Sequence, residues 1–428
     1  MSGPIRTLDD AWAAQAAGRS TDALRACLAI LAADPSQVGA AALAARVLHS
    51  LGEPTPPSVV DVFVRRGDLP MAVALAELTE HARATRRAIA EAFGRGSKRA
   101  KDVAPAPPPL PPSVITVSKQ LAEADEAALR KEGRAALTDL GTDLPAAAPV
   151  PILPLFGALD PSALEQLLGA WDVRLLSAGD VAVHEGDEGK DAFVVVRGAL
   201  RATRTNADGS GELVLAQLGP GAIFGEMALV SDAPRAASVS AIEPTLLLVA
   251  GRDALEGLAK ETPEIGKQLS EFCRARMISN LMRHSAILAS VEVSDREALI
   301  GRFAARRFSR GEALVELGEQ TDGLFLLASG AVKVVGRDAD GDELELAQLG
   351  PGDVVGEISL VLRRPASADV LATHPTVALE LKREQFQEAI REHPTLLSEL
   401  YELATKREEE TRSVVAQETL DVEDVVLL

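Results

Sequence analysis

The spacing of apolar residues along the 428-residue chain changes character near Leu155. From residue 8 to about residue 94, apolar side chains recur every three or four positions, as at Ala23, Cys27 and Ile30. This spacing places them on one face of successive α-helices. The pattern therefore predicts a helical N-terminal region.

After Leu155 the apolar residues, mainly Val and Leu, come in short runs separated by glycines. Short runs bounded by turn residues are typical of the strands of an all-β barrel or sandwich. The predicted strands are Val173–Leu176, Val181–His184, Ala192–Arg197, Leu200–Thr203, Leu213–Leu218 and Thr245–Ala250. Asp208-Gly209 predicts a hairpin turn, and Ser162–Leu168 predicts a short helix. Residues 252 to about 288 return to helical spacing.

The pattern of this β region then begins again. Gly179, Phe193 and Gly198 recur 132 residues later as Gly311, Phe325 and Gly330. Residues 216–221 recur letter for letter at residues 347–352, an offset of 131. An internal repeat of this length predicts two copies of one domain.

Two proline-rich stretches, residues 105–112 and 145–154, separate the helical region from the first copy. Such runs favour a stiff, extended spacer. Between them, residues 118–140 have the pattern of one charged, amphipathic helix. The predicted organisation is a helical domain at 1–94, a linker at 95–154, the first copy at 155–288, the second copy at 289–415 and a disordered acidic tail at 416–428.

The segment from Phe224 to Val239 has the chemistry of a pocket for a phosphorylated sugar. Gly225 lets the backbone approach a ligand, and the N–H groups that begin a short helix favour an anion. Glu226 can accept hydrogen bonds from a sugar hydroxyl, and Arg235 offers a planar donor fork to phosphate oxygens. The alternative is a surface loop whose arginine pairs with a neighbouring carboxylate. The candidate binding residues are Phe224, Gly225, Glu226, Met227, Ala228, Arg235, Ala236, Ala237 and Ser238.

This segment resembles the phosphate-binding cassette of cyclic nucleotide-binding domains, as in the regulatory subunit of cAMP-dependent protein kinase. The resemblance implies an α+β multidomain chain with two β-jelly-roll domains and flanking helices. It implies cAMP as the ligand, with cGMP as the alternative. Ala236 favours cAMP, because a threonine at this place is associated with cGMP selectivity in the family. The resemblance also implies a base-capping side chain on the helix after the barrel, for which the candidates are Phe272, Arg276, Met277 and Leu281.

The second copy keeps only part of the cassette. It repeats the glycine–glutamate pair as Gly356 and Glu357, but Ala366 stands at the place of Arg235. Asp369 adds a carboxylate that would repel a phosphate. We therefore expect a second site that is vacant or altered. Its residues are Gly356, Glu357, Ala366 and Ser367.

The N-terminal helices resemble tetratricopeptide repeats in the pattern Gly18, Ala23, Cys27, Ile30 and Pro35. The resemblance implies a helical-hairpin scaffold that binds a protein partner. An ordinary alanine-rich helical bundle is the alternative.

The chain is acidic, with a net charge of −19 and a pI of about 4.9. This charge argues against nucleic acid and against an anionic membrane surface as partners. Cys27 and Cys273 lie far apart in sequence, which fits a reducing cytoplasm. The six histidines lack metal-ligand spacing and no catalytic motif is present, so the sequence predicts no enzyme, no metal and no cofactor.

We therefore expect a cytoplasmic cAMP receptor that passes its signal to a protein partner through the N-terminal helices. A kinase regulatory subunit is one alternative, but neither Arg86–Ile89 nor Lys98–Lys101 reproduces the Arg-Arg-x-Ser/Ala inhibitor segment. A transcription factor is another, but the sequence after the second copy shows no helix-turn-helix. The third is a scaffold whose two barrels hold no ligand.

Overall fold

The chain folds, in the computed structural model, into two compact units. The described residues are 5–97, 115–138, 140, 154–205, 211–229, 234–337 and 341–425. The first unit comprises residues 1–185, 190–229 and 237–272, and the second comprises residues 186–189, 230–236 and 273–428.

A helical region opens the first unit. Its helices are α1 (Leu8–Ala16), α2 (Ser20–Ala33), α3 (Val38–Ser50), α4 (Pro57–Arg66), α5 (Leu69–Ala76), α6 (Ala82–Phe93), α7 (Lys119–Glu123) and α8 (Glu126–Thr138). Thr7 and Asp10 form a capping box at the start of α1. Gly67, with a left-handed φ of 77°, ends α4. The helical N-terminal region that the apolar spacing predicts is confirmed, whereas its likeness to tetratricopeptide repeats stays a prediction.

Residues 118–140 form two helices, α7 and α8, where the sequence pattern predicts one. The backbone is extended at Ala124, with φ −64° and ψ 132°. The carboxylate of Asp125 then accepts the backbone N–H of Ala128 at 2.8 Å. This hydrogen bond satisfies an N–H group at the start of α8, so it favours a new helix over continuation of the old one.

The first copy of the repeat is a β-barrel that follows two short helices. Its elements are α9 (Pro154–Ala158), α10 (Pro161–Leu168), β1 (Asp172–Leu176), β2 (Val181–Val183), β3 (Asp191–Arg197), β4 (Leu200–Thr205), β5 (Glu212–Leu218), β6 (Ile223–Phe224), β7 (Ser238–Ala241), β8 (Thr245–Gly251), α11 (Arg252–Glu261) and α12 (Pro263–His284). The six predicted strands are present. The sequence did not predict β6 and β7. Strand β6 has only two residues, too few to show an alternating pattern, and β7 begins inside the segment assigned to ligand binding. The predicted hairpin at Asp208-Gly209 lies outside the described residues.

The second copy has the topology of the first. Its elements are α13 (Ala286–Ala289), α14 (Arg296–Ile300), β9 (Ala304–Phe308), β10 (Ala313–Val315), β11 (Gly323–Ser329), β12 (Val332–Arg337), β13 (Glu343–Leu349), β14 (Val354–Val355), α15 (Glu357–Val361), β15 (Asp369–Ala372), β16 (Thr376–Lys382), α16 (Arg383–Glu392) and α17 (Pro394–Val425). The first barrel has sheets β1-β8-β3-β6 and β2-β7-β4-β5, and the second has β9-β16-β11-β14 and β10-β15-β12-β13. Strands β9 to β16 thus take the places of β1 to β8, which confirms the predicted duplication of one jelly-roll domain.

The helical region and the first barrel share a hydrophobic core. Along β3 the side chains alternate: Phe193 and Val195 face the barrel interior, while Val194 and Val196 face the helices. At the end of β3, the guanidinium of Arg197 lies 4.6 Å from the ring centroid of Trp12. The helical region is therefore packed on the outer face of one barrel sheet.

The last helix, α17, continues to Val425. The sequence pattern predicts that this helix ends near Val415 and that a disordered tail begins at residue 416, and that prediction is wrong as far as Val425. No glycine or proline interrupts residues 395–425, and the segment is rich in Glu and Leu, which favour helix. No described helix, α17 included, is long and apolar enough to cross a membrane.

Gly198→Ala is expected to destabilise the first barrel more than Gly179→Ala. Both glycines have a left-handed φ, 89° and 91° respectively, so either alanine meets backbone strain of roughly 1–2 kcal/mol. Only at Gly198 would a Cβ also overlap Thr245 Oγ1 and lie 2.7 Å from the carbonyl oxygen of Pro244. Overpacking of this kind adds about 1–3 kcal/mol. Urea unfolding of both variants measures the difference, and equal losses of unfolding free energy would contradict the steric part of the argument.

Candidate functional site

The predicted binding segment of the first copy begins where β6 ends. Gly225 has a φ of 73°, a conformation that favours glycine. Glu226–Leu229 then form a single 3-10 turn, in which Glu226 is only 4% exposed. A carboxylate buried to this degree needs hydrogen-bond donors around it. The position suits a group that accepts hydrogen bonds from a ligand.

The predicted residues Phe224, Met227 and Ala228 are all at least partly buried. The ring of Phe224 stacks on Phe193, with centroids 4.7 Å apart and planes inclined by 7°. Ala228 is buried, and its carbonyl accepts a hydrogen bond from Nε of Arg252. Met227 is half-buried. Phe224 therefore belongs to the barrel core.

Ala237 and Ser238 lead from the cassette into β7, and both are half-buried. The Ser238 Oγ accepts the backbone N–H of Glu185 at 2.9 Å. The carboxylate of Glu185 in turn accepts the backbone N–H of Thr205 at 2.8 Å. Ser238 thus joins β7 to the end of the segment that follows β2.

Arg235 lies in the second unit, against residues 186–189. Its backbone N–H donates to the carbonyl of Asp187, and its own carbonyl accepts the N–H of Gly186, each at 2.9 Å. A Cβ at Gly189 would overlap the guanidinium of Arg235. The missing side chain at Gly189 therefore makes room for the arginine. Ala236, the next residue, is exposed.

The second copy reproduces this backbone pairing around Ala366. The N–H of Ala366 donates to the carbonyl of Glu319 at 2.8 Å, and its carbonyl accepts the N–H of Gly318 at 2.9 Å. These two bonds repeat those of Arg235. Ala366 therefore has the same backbone environment as Arg235 but no fork for a phosphate.

Asp369 has a structural role that the sequence did not predict. Its Oδ1 accepts the backbone N–H of Leu317 at 2.7 Å, and its Oδ2 lies 3.9 Å from Arg337. In the first copy, Ser238 accepts the corresponding N–H. Asp369 thus replaces a hydroxyl as the acceptor of one barrel bond, and Arg337 offsets its charge. This differs from the expectation of a carboxylate that repels phosphate.

The arginines just before Ala366 do not take the place of the missing fork. Arg363 and Arg364 are both exposed. Arg363 has a left-handed φ of 56°. Arg364 pairs with Glu408 of α17 at 2.6 Å. Its guanidinium is therefore committed to the last helix.

The second barrel encloses a cavity of about 180 Å³. Apolar side chains of the barrel strands form most of its wall, among them Val315, Val334 and Leu346. The structure brings together at this cavity all the residues predicted for the second site, namely Gly356, Glu357, Ala366 and Ser367.

Helix α17 covers one side of this cavity and contributes Arg407 to its wall. Glu357 is 2% exposed, and its Oε1 lies 2.9 Å from Nη1 of Arg407. The same nitrogen donates to the carbonyl of Val354. The charge of the buried carboxylate is thus balanced inside the protein.

Residues 173–262 and 305–393 match the family model of the cyclic nucleotide-binding domain. The chain carries two cyclic nucleotide-binding domains in tandem. In the sequence, the first domain has both the glycine–glutamate pair and the arginine of the predicted cassette. The second domain holds the cavity beneath α17.

The chain is also similar to kinase regulatory subunits. It is 28% identical over 225 residues to the cAMP-dependent protein kinase type II regulatory subunit of Drosophila melanogaster. That match covers 53% of this chain and 56% of the relative, so the chain spans about half the length of the curated relative it matches. Among solved structures, the regulatory domain of Toxoplasma gondii PKA with cAMP is 26% identical, with a TM-score of 0.29, covering 59% of this chain and 92% of that one. The Thermus thermophilus catabolite activator protein is 32% identical, with a TM-score of 0.29, covering 34% of this chain and 68% of that one.

Two residues that shape these domains, Gly189 and Arg407, were not predicted from the sequence. Gly189 makes room for Arg235, and its counterpart 132 residues later is Thr321, which lines the second cavity. Arg407 pairs with Glu357 from α17. The sequence contains a signal for each residue. The second copy replaces Gly189 by Thr321 as it replaces Arg235 by Ala366, and Arg407 repeats Arg276 at an offset of 131.

The base-capping candidates of the first domain lie along α12. Leu281 is buried in the core of the second unit, and Met277 packs against that core. Phe272 packs against the core of the first unit. Arg276 is the candidate whose counterpart, Arg407, lines a cavity.

Proposed function

We propose that the chain is a cAMP receptor in which the first cyclic nucleotide-binding domain holds one cAMP and the second holds none. Gly225 and Glu226 receive the sugar, and Arg235 receives the cyclic phosphate. The exposed Ala236 favours cAMP over cGMP, because the family's cGMP-selective threonine is missing there.

The observation that carries this proposal is the matched backbone pairing at Arg235 and Ala366. The two residues make the same pair of hydrogen bonds with their own barrels. The domains therefore differ at this place by a side chain and not by a local change of fold. A cyclic phosphate is an anion, and only the first domain offers it a cassette arginine.

Titration of the full chain with cAMP is expected to give one site per chain. The second domain leaves the phosphate without a charged donor, which costs ~2–5 kcal/mol and moves that site out of the range of the first. Isothermal titration calorimetry measures the stoichiometry, and a parallel titration with cGMP is expected to show weaker binding. Two equivalent sites, or tighter binding of cGMP, would contradict the proposal.

We further propose that the N-terminal helices carry the signal to a protein partner. The support is their shared core with the first barrel, where α5 packs on the outer face of β3. A displacement of β3 would therefore alter the packing of the helices, α5 first. Hydrogen exchange of α5 with and without cAMP tests this proposal, and unchanged protection in a chain that binds cAMP would contradict it.

A kinase regulatory subunit is the second candidate function. The similarity to the Drosophila regulatory subunit favours it. Against it, Arg86–Ile89 lies within α6, and Ile89 is fully buried. Such a segment is not available as an extended pseudosubstrate. Inhibition of a cAMP-dependent kinase catalytic subunit by the full chain, relieved by cAMP, would favour this candidate over the first.

A further inference from the structure

The second domain has lost the group that binds phosphate but keeps the groups that would bind a sugar and a base. Gly356 has a left-handed φ of 87°, and a Cβ there would lie 2.7 Å from the carbonyl oxygen of Gly323. The close approach of the backbone is therefore preserved. Glu357 is preserved beside it and is buried.

The carboxylate of Glu357 retains acceptor capacity for a ligand. Arg407 Nη1 contacts its Oε1 at 2.9 Å. A carboxylate offers about four lone-pair sites, so one strong donor does not exhaust it. By contrast, the hydroxyl of Ser359 is engaged within the protein, since it donates to the carbonyl of Arg364 at 2.8 Å and lies 3.3 Å from the N–H of Thr321. Glu357 is thus the acceptor best placed for a ligand hydroxyl.

The electrostatics of the cavity favour a ligand without charge. Its charged lining residues are Glu357, Arg407 and Glu410. The first two neutralise each other, and Glu410 lies 3.7 Å from Lys406 on an exposed part of α17. At the place of the cassette arginine stands Ala366, which is 8% exposed. An anion entering here would meet no cassette arginine, and the charge of Arg407 already offsets that of Glu357.

The size of the cavity points the same way. About 180 Å³ is less than the ~300–1,000 Å³ of most pockets for drug-sized ligands. The apolar wall of Val315, Val334 and Leu346 suits a flat ring system rather than a polar chain. A nucleotide without its phosphate matches both properties.

We propose that the second domain binds a neutral nucleoside, with its sugar hydroxyl on Glu357 and its base against the apolar wall. The inference rests on the proposed function in one respect, that the glycine–glutamate pair of the cassette holds a sugar. The first domain would then bind a cyclic nucleotide, and the second would bind a nucleoside, which has no phosphate.

The test is a calorimetric titration of the full chain with adenosine and with guanosine, with and without saturating cAMP. We expect one nucleoside site that persists when cAMP is present, because the two ligands occupy different domains. We expect 2′-deoxyadenosine or 3′-deoxyadenosine, whichever lacks the hydroxyl that Glu357 accepts, to bind about ten-fold or more weakly than adenosine, because a hydrogen bond to a charged acceptor is lost. Equal binding of all three nucleosides would overturn the inference. Loss of the nucleoside signal when cAMP is added would show that the two ligands compete and do not occupy different domains, which would overturn the inference. The absence of any nucleoside binding in the folded chain would overturn it as well.

Three variants locate the site. Glu357→Gln should weaken nucleoside binding about ten-fold or more. Ala366→Leu fills the cavity but leaves the ion pair of Glu357 intact, and it should also weaken nucleoside binding about ten-fold or more. This variant provides the test if Glu357→Gln fails to fold. Glu399→Gln makes the same chemical change at an exposed position of α17 and should bind as the parent does. Normal nucleoside binding by a folded Ala366→Leu chain would overturn the inference. If the parent does not bind cAMP but binds nucleoside in a Glu357-dependent way, the proposed function fails and this inference stands.

Discussion

Arg235→Ala is expected to weaken cAMP binding by ~2–5 kcal/mol, which is tens to thousands of fold in the dissociation constant. The cyclic phosphate would lose its charged, two-pronged donor and keep only backbone N–H groups. The side chain of Arg235 lies where Gly189 provides room for it, so the variant removes a group that the surrounding loop accommodates. Calorimetric titration of the parent and the variant under one salt concentration measures the effect.

Two further variants separate charge from geometry at the same site. Arg235→Lys keeps the charge but not the planar fork, and should fall between the parent and the alanine variant. Glu226→Gln keeps the size of the side chain and removes only its charge, so its cost should be smaller, about 1.5–3 kcal/mol. Circular dichroism checks that each chain is folded. A folded Arg235→Ala chain that binds cAMP as tightly as the parent would show that this segment is not the phosphate-binding cassette.

The fold could be predicted because the sequence pattern of most strands occurs twice, once in each copy of the repeat. The same glycines and the same apolar runs occur at offsets of 131 and 132, and the strands of five to seven residues show their pattern in both copies. Strands β6 and β14 have two residues each, too few for any periodicity, and are formed by pairing with β3 and β11. The N-cap at Asp125 also escaped prediction, because an amphipathic pattern continues across it.

Residues of the candidate site could be predicted only where a short, continuous stretch of sequence identifies them. The exchange of Arg235 for Ala366 is visible as a substitution at a fixed offset. The role of Gly189 is not, because it depends on a loop that folds back against a residue 46 positions later. Arg407 reaches Glu357 from 50 positions away, on a helix whose direction the sequence does not encode locally. The acceptor role of Asp369 depends on the pairing of distant segments in the same way.

Restoration of the second domain is the second large effect that we expect. Ala366→Arg would introduce the missing fork at a position whose backbone bonds match those of Arg235. Asp369→Ser would remove a carboxylate yet keep an acceptor for the N–H of Leu317, as Ser238 does for its counterpart. With Arg235→Ala as background, the first domain is disabled, and any cAMP binding reports on the second domain.

The structure adds a third position to this design, Thr321. Its counterpart, Gly189, has no side chain, and a Cβ there would overlap the guanidinium of Arg235. An arginine at position 366 would meet the Thr321 side chain in the same way. Overpacking of this kind costs about 1–3 kcal/mol, so the two substitutions alone should restore binding poorly.

Two chains are compared. The threefold variant carries Arg235→Ala, Ala366→Arg and Asp369→Ser, and the fourfold variant adds Thr321→Gly. We expect the fourfold variant to bind cAMP about ten-fold or more tightly than the threefold variant. Calorimetry of the two chains gives the comparison. A control chain with only Arg235→Ala and Thr321→Gly shows whether the glycine by itself creates cAMP binding. That control should not bind cAMP, because it lacks the fork. If the two chains bind equally well, the room beside residue 366 does not depend on Gly189 or its counterpart. If both fold and neither binds, the lost arginine and the Thr321 side chain do not account for the absence of cAMP binding in the second domain.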